Sequence, residues 1–141
     1  MDMDRLEDSL SFALGKAYQQ VQQDAKRRLA PHGVTPVQYA VLKLLWERDE
    51  QIAAELGERL VLDSATMTGL IDRLVQARLV ERRAHSADRR VNVICLTKAG
   101  VALQAPLDAA MDAVDAEFAS RLKAREMASL RAALRDIALV R

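Results

Sequence analysis

The sequence predicts a mainly α chain, formally α+β, with one β-hairpin set late among the helices. Three observations predict it. Apolar residues recur at three- and four-residue steps through most of the chain. Ala, Leu and Arg are abundant while aromatics are only 4% of the 141 residues, a balance that favours helix. One run, RRAHSADRRVNVICLT at residues 82 to 97, breaks the helical period and alternates instead. Half of the chain is apolar, enough for the core of one domain at this length.

The elements follow in the order α-α-α-α-β-β-α-α. Residues 4 to 30 carry one apolar stripe: Leu6, Leu10, Ala13, Leu14, Ala17, Tyr18, Val21, Ala25 and Leu29. Pro31 ends that helix and Gly33 supplies the turn. The next start is signed three times. Thr35 caps, Pro36 suits the first helical position, and Gln38 completes a capping box. Val34 and Tyr39 stand where a hydrophobic staple would be, and Val37, Ala40, Val41, Leu44 and Leu45 form the expected buried face. The pattern runs out at ERDEQ.

Residues 53 to 60 make a short helix with Leu56 and Leu60 on one side. Asp63 caps a further helix from Ser64 to about Ala77, with Met67, Leu70, Ile71, Leu74 and Val75 as its buried stripe. Outside that stripe its first turns are small and hydroxylated: Ser64, Ala65, Thr66, Thr68, Gly69. A strand follows over 80 to 84, a polar tip over 85 to 90, and a returning strand over 91 to 96. Thr97 caps a helix over roughly 98 to 117, with a kink or break near 105 because Pro106 lies inside it. A last helix covers roughly 123 to 139, with Met127, Leu130, Ala133, Leu134, Ile137 and Leu139.

Charge is uneven. The whole chain is +1, but residues 63 to 98 hold seven Lys and Arg against four acids, a net +3. The rest is net −2, so a locally basic surface sits on a slightly acidic chain. A single cysteine, Cys95, precludes an intramolecular disulfide. No run approaches the ~20 apolar residues of a membrane span, and the acidic start MDMDRLEDSL lacks a signal-peptide core. The expectation is a cytoplasmic protein. No nucleophile elbow, phosphate loop or paired catalytic carboxylates are present, so an enzyme is not expected. Neither His32 nor His85 is framed by ligands at metal spacing, and no cofactor or metal is expected.

The order of elements now carries the reading. Two short helices joined by a tight turn, the second with a small polar N-terminus, describe a helix-turn-helix. Small residues let that helix approach base edges closely, hydroxyls hydrogen-bond there, and a Thr methyl can meet a thymine methyl. A basic hairpin immediately afterwards is a wing, whose arginine suits a narrow, negative minor groove. The expected target of the four arginines in the hairpin is therefore double-stranded DNA. An ordinary helical domain with a charged hairpin is the alternative.

The stretches ELGERLVLDSATMTGLIDRLVQARLVERR, DRR at 88 to 90, LTKAG at 96 to 100 and VTPVQYAVLKLLWE at 34 to 47 resemble the MarR family of bacterial transcription regulators. The resemblance implies a winged helix-turn-helix lobe over 35 to 97 and dimerisation helices over 4 to 30 and 98 to 141, in a single domain spanning 1 to 141. It implies a homodimer on a pseudo-palindromic operator, acting as a repressor. Release would come from a small effector, an aromatic acid or acyl-CoA type, in a pocket between the dimerisation helices and the lobe. By position, Ser64, Thr66, Thr68 and Gly69 match recognition-helix contacts, with Arg73 beside them. Arg90 matches the minor-groove arginine, Asp88 the acid that orients it, and Arg89 a phosphate contact. His32, Tyr39 and Ser11 are the candidates for the effector pocket. Two of them also have plainer readings: His32 as a solvated loop residue and Tyr39 as packing.

SLSFAL and LGERLVLDSATMTGL also resemble the organic-hydroperoxide sensors of that family. Their reactive cysteine falls at Ser11 here, and their two tyrosines at Gly15 and Ala25. A hydroxyl has no thiolate chemistry, so sensing by that route is not expected. Cys95, in the alternation Val91, Val93, Cys95, reads as a packed thiol. Two alternatives stay open: a redox regulator working through Cys95, and an interaction protein that keeps the fold without binding DNA. The basic run Lys26, Arg27, Arg28 fits a phosphate or ligand contact as well as a solvated face, and Trp46 reads as core. Val61, in the turn of the motif, is a position where relatives often carry Gly or a bulkier residue.

Overall fold

The computed structural model describes residues 5–139. Its elements are α1 (Leu10–Leu29), α2 (Pro36–Glu47), α3 (Ala53–Leu60), α4 (Ser64–Gln76), β1 (Val80–Ala84), β2 (Asn92–Leu96), α5 (Lys98–Ala102), α6 (Gln104–Ala119) and α7 (Ala124–Ala138). They form two compact units, Met1–Arg28 with Ala110–Arg141, and Leu29–Ala109.

The first helix is shorter than its stripe. Leu6–Asp8 is a 3-10 turn, and Ser9 is extended before its carbonyl accepts the first α1 bond from Ala13 N. The expected start at residue 4 lies outside the described residues. At the other end, Ala30–His32 is a second 3-10 turn, closed by Gly33 at φ 71°, a left-handed conformation that glycine takes without strain. The helix expected over 98 to 117 divides at Leu103 into α5 and α6. Pro106 has no N–H to give the Ala102 carbonyl. In the first turn of a new helix that missing donor has no partner to lose.

The Leu29–Ala109 unit owns nearly all of the core. Val34, Val41, Leu42, Leu44, Leu45, Leu56, Met67, Leu70, Ile71, Leu74, Leu79, Val80 and Leu107 are buried there. Val37, expected in the buried face of α2, is exposed, and Leu42 is buried instead. The α2 start is as its residues dictate. Gln38 N donates to Thr35 Oγ1, and Thr35 N donates to Gln38 Oε1. Further along α2, Trp46 is half-buried rather than core, and its Nε1 donates to the Gly100 carbonyl at 3.0 Å.

Both helices of the motif end alike. Leu62 N donates to Gly57 O and Val61 N to Glu58 O. One helix later Leu79 N donates to Leu74 O and Arg78 N to Val75 O. These are Schellman caps, with Val61 and Arg78 at the left-handed position usually held by glycine. Val61, at φ 56° and 83% exposed, is a β-branched residue in a conformation that crowds its Cβ. Gly57 and Gly100 are required by close approach. A Cβ on Gly57 would sit 2.9 Å from Met67 Cγ, and one on Gly100 would sit 2.1 Å from the Leu79 carbonyl oxygen.

β1 and β2 pair antiparallel, Val80 opposite Leu96 and Ala84 opposite Asn92. Val91 lies before β2, outside the strand. The expected alternation is incomplete, because Val93, Ile94 and Cys95 are all buried. A third chain segment also runs along the other edge of β2. Gln51 N donates to Ile94 O and Ile94 N to Gln51 O. Gln51, itself buried, donates from Nε2 to Leu44 O and to Arg48 O.

In the unit formed by the chain ends, by contrast, the apolar stripes stay largely open. Ala25 and Val114 are buried, whereas Leu10, Tyr18, Leu130, Leu134 and Ile137 are exposed. Asp24 is buried and held by Arg27 and by Arg28, whose Nε is 3.0 Å away. No described helix is long and apolar enough to cross a membrane.

Candidate nucleic-acid interface

α4 presents its N-terminal turns outward. Ser64, Thr66 and Thr68 are exposed, and Gly69 is half-exposed. Asp63 caps the helix, accepting from Thr66 N at 2.8 Å and from Thr66 Oγ1 at 3.0 Å. Those bonds hold the Asp63 carboxyl below its usual range. Thr68 Oγ1 donates to Ser64 O at 2.9 Å. Both threonine protons are therefore engaged within the helix. What faces outward is acceptor lone pairs and methyl groups, suited to exocyclic amines and thymine methyls on base edges. A Cβ on Gly69 would meet nothing within 4 Å. A glycine inside a helix costs about 1 kcal/mol relative to alanine, and nothing within the protein requires this one.

The four hairpin arginines are not equivalent. Arg82 donates to Asp72 of α4 at 2.6 Å, and Arg83 pairs with Glu81 at 3.1 Å. Both are paired with acids of the same lobe and only about half exposed. At the tip, Arg90 Nε and Nη2 donate to the two oxygens of Asp88 at 3.1 and 3.2 Å, and Arg90 N donates to Asp88 Oδ1. The Arg90 side chain is nevertheless 91% exposed. The arginine bonds hold the Asp88 carboxyl below its usual range, and Asp88 raises Arg90 in turn. Arg73 and Arg89 are exposed, and among the described residues neither side chain has a partner. Bonds within the tip help to order it: His85 N donates to Val91 O, Val91 N to Asp88 O, and Ala87 N to the His85 side chain at Nδ1.

The remaining candidates fall elsewhere. Ser11 is exposed on α1, in the unit of the chain ends. His32 is exposed in the 3-10 turn after α1. Tyr39 donates to Asp108 Oδ1 at 2.8 Å, beside Lys43 Nζ at 2.9 Å, and meets Trp46 edge-on at 5.9 Å. Burial alone would raise Asp108, but Lys43 and Tyr39 hold it below the usual range. Cys95 is fully buried, and burial pushes its thiol up against the opposing pull of Arg83. A thiol in that state is a poor nucleophile. Among the described residues no group of three or more His, Cys, Asp or Glu is placed to hold a metal ion.

Sequence reasoning missed the segment Asp49–Glu50–Gln51. It was the place where the α2 pattern ran out, and polar residues outside a periodic run give no local sign of a bridge to β2. It also missed the Asp72–Arg82 pair, whose partners are ten residues apart and joined only by the fold.

A capped helix with a small outward face, followed by a hairpin carrying a clamped, exposed arginine, defines a winged helix-turn-helix DNA-binding protein. A match to the MarR family covers residues 34–91. The transcriptional regulator MhqR of Bacillus subtilis is 32% identical over 94 residues, which are 67% of this chain and 65% of MhqR. The organic hydroperoxide resistance transcriptional regulator of the same species is 34% identical over 100 residues, 71% of this chain and 68% of that one. Each match thus spans roughly two thirds of the relative's length. CouR from Rhodococcus jostii RHA1, solved bound to p-coumaroyl-CoA, superimposes with a TM-score of 0.87 at 27% identity, over 98% of this chain and 97% of CouR. The chain belongs to the MarR family: it is a DNA-binding transcription regulator and not an enzyme.

Proposed function

We propose that the protein is a dimeric repressor released from a pseudo-palindromic operator by a small aromatic acid or its CoA thioester. Ser64, Thr66, Thr68, Gly69 and Arg73 face the major groove. Arg90 enters the adjacent minor groove in the orientation Asp88 sets, and Arg89 meets phosphate. The observation that carries the DNA reading is Arg90, a side chain almost wholly in solvent yet fixed by a bidentate carboxylate. Ordering a long side chain costs entropy, so one ordered before contact reaches a groove at lower cost.

Dimerisation is supported by the open stripe of α7, where Leu130, Leu134 and Ile137 lie on one helix with no partner to cover them. In a two-fold dimer the two recognition helices span half-sites about 34–36 Å apart, one turn of DNA. The effector class is supported by the acyl-CoA thioester bound to CouR, and the pocket residues proposed within the Leu29–Ala109 unit are His32 and Tyr39. Peroxide sensing is not proposed, since Ser11 holds the position of the reactive cysteine and Cys95 is buried.

The test is fluorescence anisotropy with the DNA upstream of the protein's own gene, against a scrambled duplex, over a series of salt concentrations. Tight, selective binding with a steep salt slope is expected, followed by release on adding p-coumaroyl-CoA or related aromatic acids. Equal, weak binding to both duplexes would leave the interaction-protein reading in its place.

A further inference from the structure

The wing is a two-stranded hairpin, an element that is marginal in water without support. Its base is packed on the core and tied to α4 by Arg82 and Asp72, and further support comes from the loop between α2 and α3. Asp49 Oδ1 accepts from Leu96 N at 2.9 Å, at the base of the returning strand. Gln51 pairs with Ile94, in its middle. Glu50 Oε2 accepts from Ser86 Oγ at 2.8 Å, in the polar tip itself. The three contacts climb the hairpin, and the one nearest Asp88 and Arg90 is made by Glu50.

Glu50 makes that contact from a strained backbone, at φ 53°. A glycine would hold this conformation without penalty. Asp49 stabilises the turn by accepting from Glu50 N at 2.9 Å. A residue with a side chain at such a position is explained when the side chain is used, and the only hydrogen bond of this carboxylate among the described residues is to the wing tip. Glu50 is also an acid beside a surface read as facing DNA phosphates, where its charge opposes binding. Its value there is geometric.

We propose that Glu50 is a positioning residue for DNA recognition: through Ser86 it fixes the wing tip so that the Asp88–Arg90 clamp enters the minor groove in one orientation. This rests on the wing being a DNA contact, as argued above. The test is a double-mutant cycle on the full chain, read by anisotropy on the DNA upstream of its own gene. Ser86→Ala leaves the charge unchanged and is expected to weaken binding about fivefold, part of the value of a hydrogen bond to a charged acceptor. The same change in an Glu50→Ala background is expected to cost nothing further. Glu50→Gln, whose amide oxygen still accepts from Ser86, is expected to bind at least as tightly as wild type. Amide exchange at His85 and Val91 is expected to quicken in Ser86→Ala and Glu50→Ala but not in Glu50→Gln, with the melting temperature unmoved. Arg90→Ala separates the two ideas. If it weakens binding while Ser86→Ala does not, or if the two costs of the cycle simply multiply, the brace is wrong and the wing reading stands. If Arg90→Ala changes nothing, the wing reading falls and the positioning role falls with it.

Discussion

The two units of this chain are written in the same helical code and use it differently. In Leu29–Ala109 the apolar stripes of α2, α3 and α4 are mostly buried, the starts of α2 and α4 are closed by a capping box and an Asp cap, and α3 and α4 end in Schellman motifs. In the unit of the chain ends, α7 has an apolar stripe of the same kind, with Leu130 and Leu134 in step, and none of it is buried. A stripe is a demand for a neighbour. The lobe satisfies that demand internally, and among the described residues the terminal helices leave it unmet.

The sharpest way to break that comparison is to truncate one leucine on each side. Leu74→Ala, in the closed core, is expected to cost about 3 kcal/mol in urea unfolding. Leu134→Ala is expected to shift the self-association constant measured by sedimentation. In dilute single chains it should change unfolding by less than about 0.5 kcal/mol. Equal losses in the two variants at low concentration would mean that the terminal stripe is as internal as the lobe's.

Function divides along the same line. Arg90→Ala is expected to weaken DNA binding about 10- to 100-fold without moving the melting temperature, because the side chain's one partner is Asp88 in a solvent-exposed pair that adds little stability. Gly69→Ala carries the division to one residue of α4. The fold has room for the methyl, so unfolding is expected to become harder by about 0.5–1 kcal/mol, while operator affinity falls. A variant that gained stability and bound as before would remove Gly69 from the interface.

The smallest expected effect is on pH dependence. Asp63 is held below its usual range chiefly by the Thr66 amide. A depressed folded value means that the stabilisation is complete above the unfolded carboxyl range and is lost as pH falls through the folded one. Melting curves of wild type and Asp63→Asn are therefore expected to converge in acid and separate toward neutrality. A constant offset at all pH values would mean that the cap acts without its charge.

Much of the lobe was legible because its signals are local. Thr35, Pro36 and Gln38 specify a helix start within four residues, and Asp63 does so for α4. Pro106 announces the break at Leu103, and the polar run at 85 to 90 announces a hairpin tip. The Asp88–Arg90 clamp was legible too, since two residues of separation set its geometry. Less legible were features whose partners are distant. Val37 and Leu42 exchanged places at the core because periodicity gives the angle of a stripe but not where its edge falls.

By itself, then, the sequence determined the order of the helices and the starts of α2 and α4, the hairpin, the basic tip and the kinship with MarR regulators, all carried by contiguous motifs. Only the tertiary structure decided which of four hairpin arginines remain available, that Gln51 completes the sheet, and that Glu50 reaches Ser86 across 36 residues. The physical reason is range. Caps, turns and periodicity are energies of neighbouring residues, whereas the neutralisation of a charge depends on whatever the fold brings within about 3 Å of it.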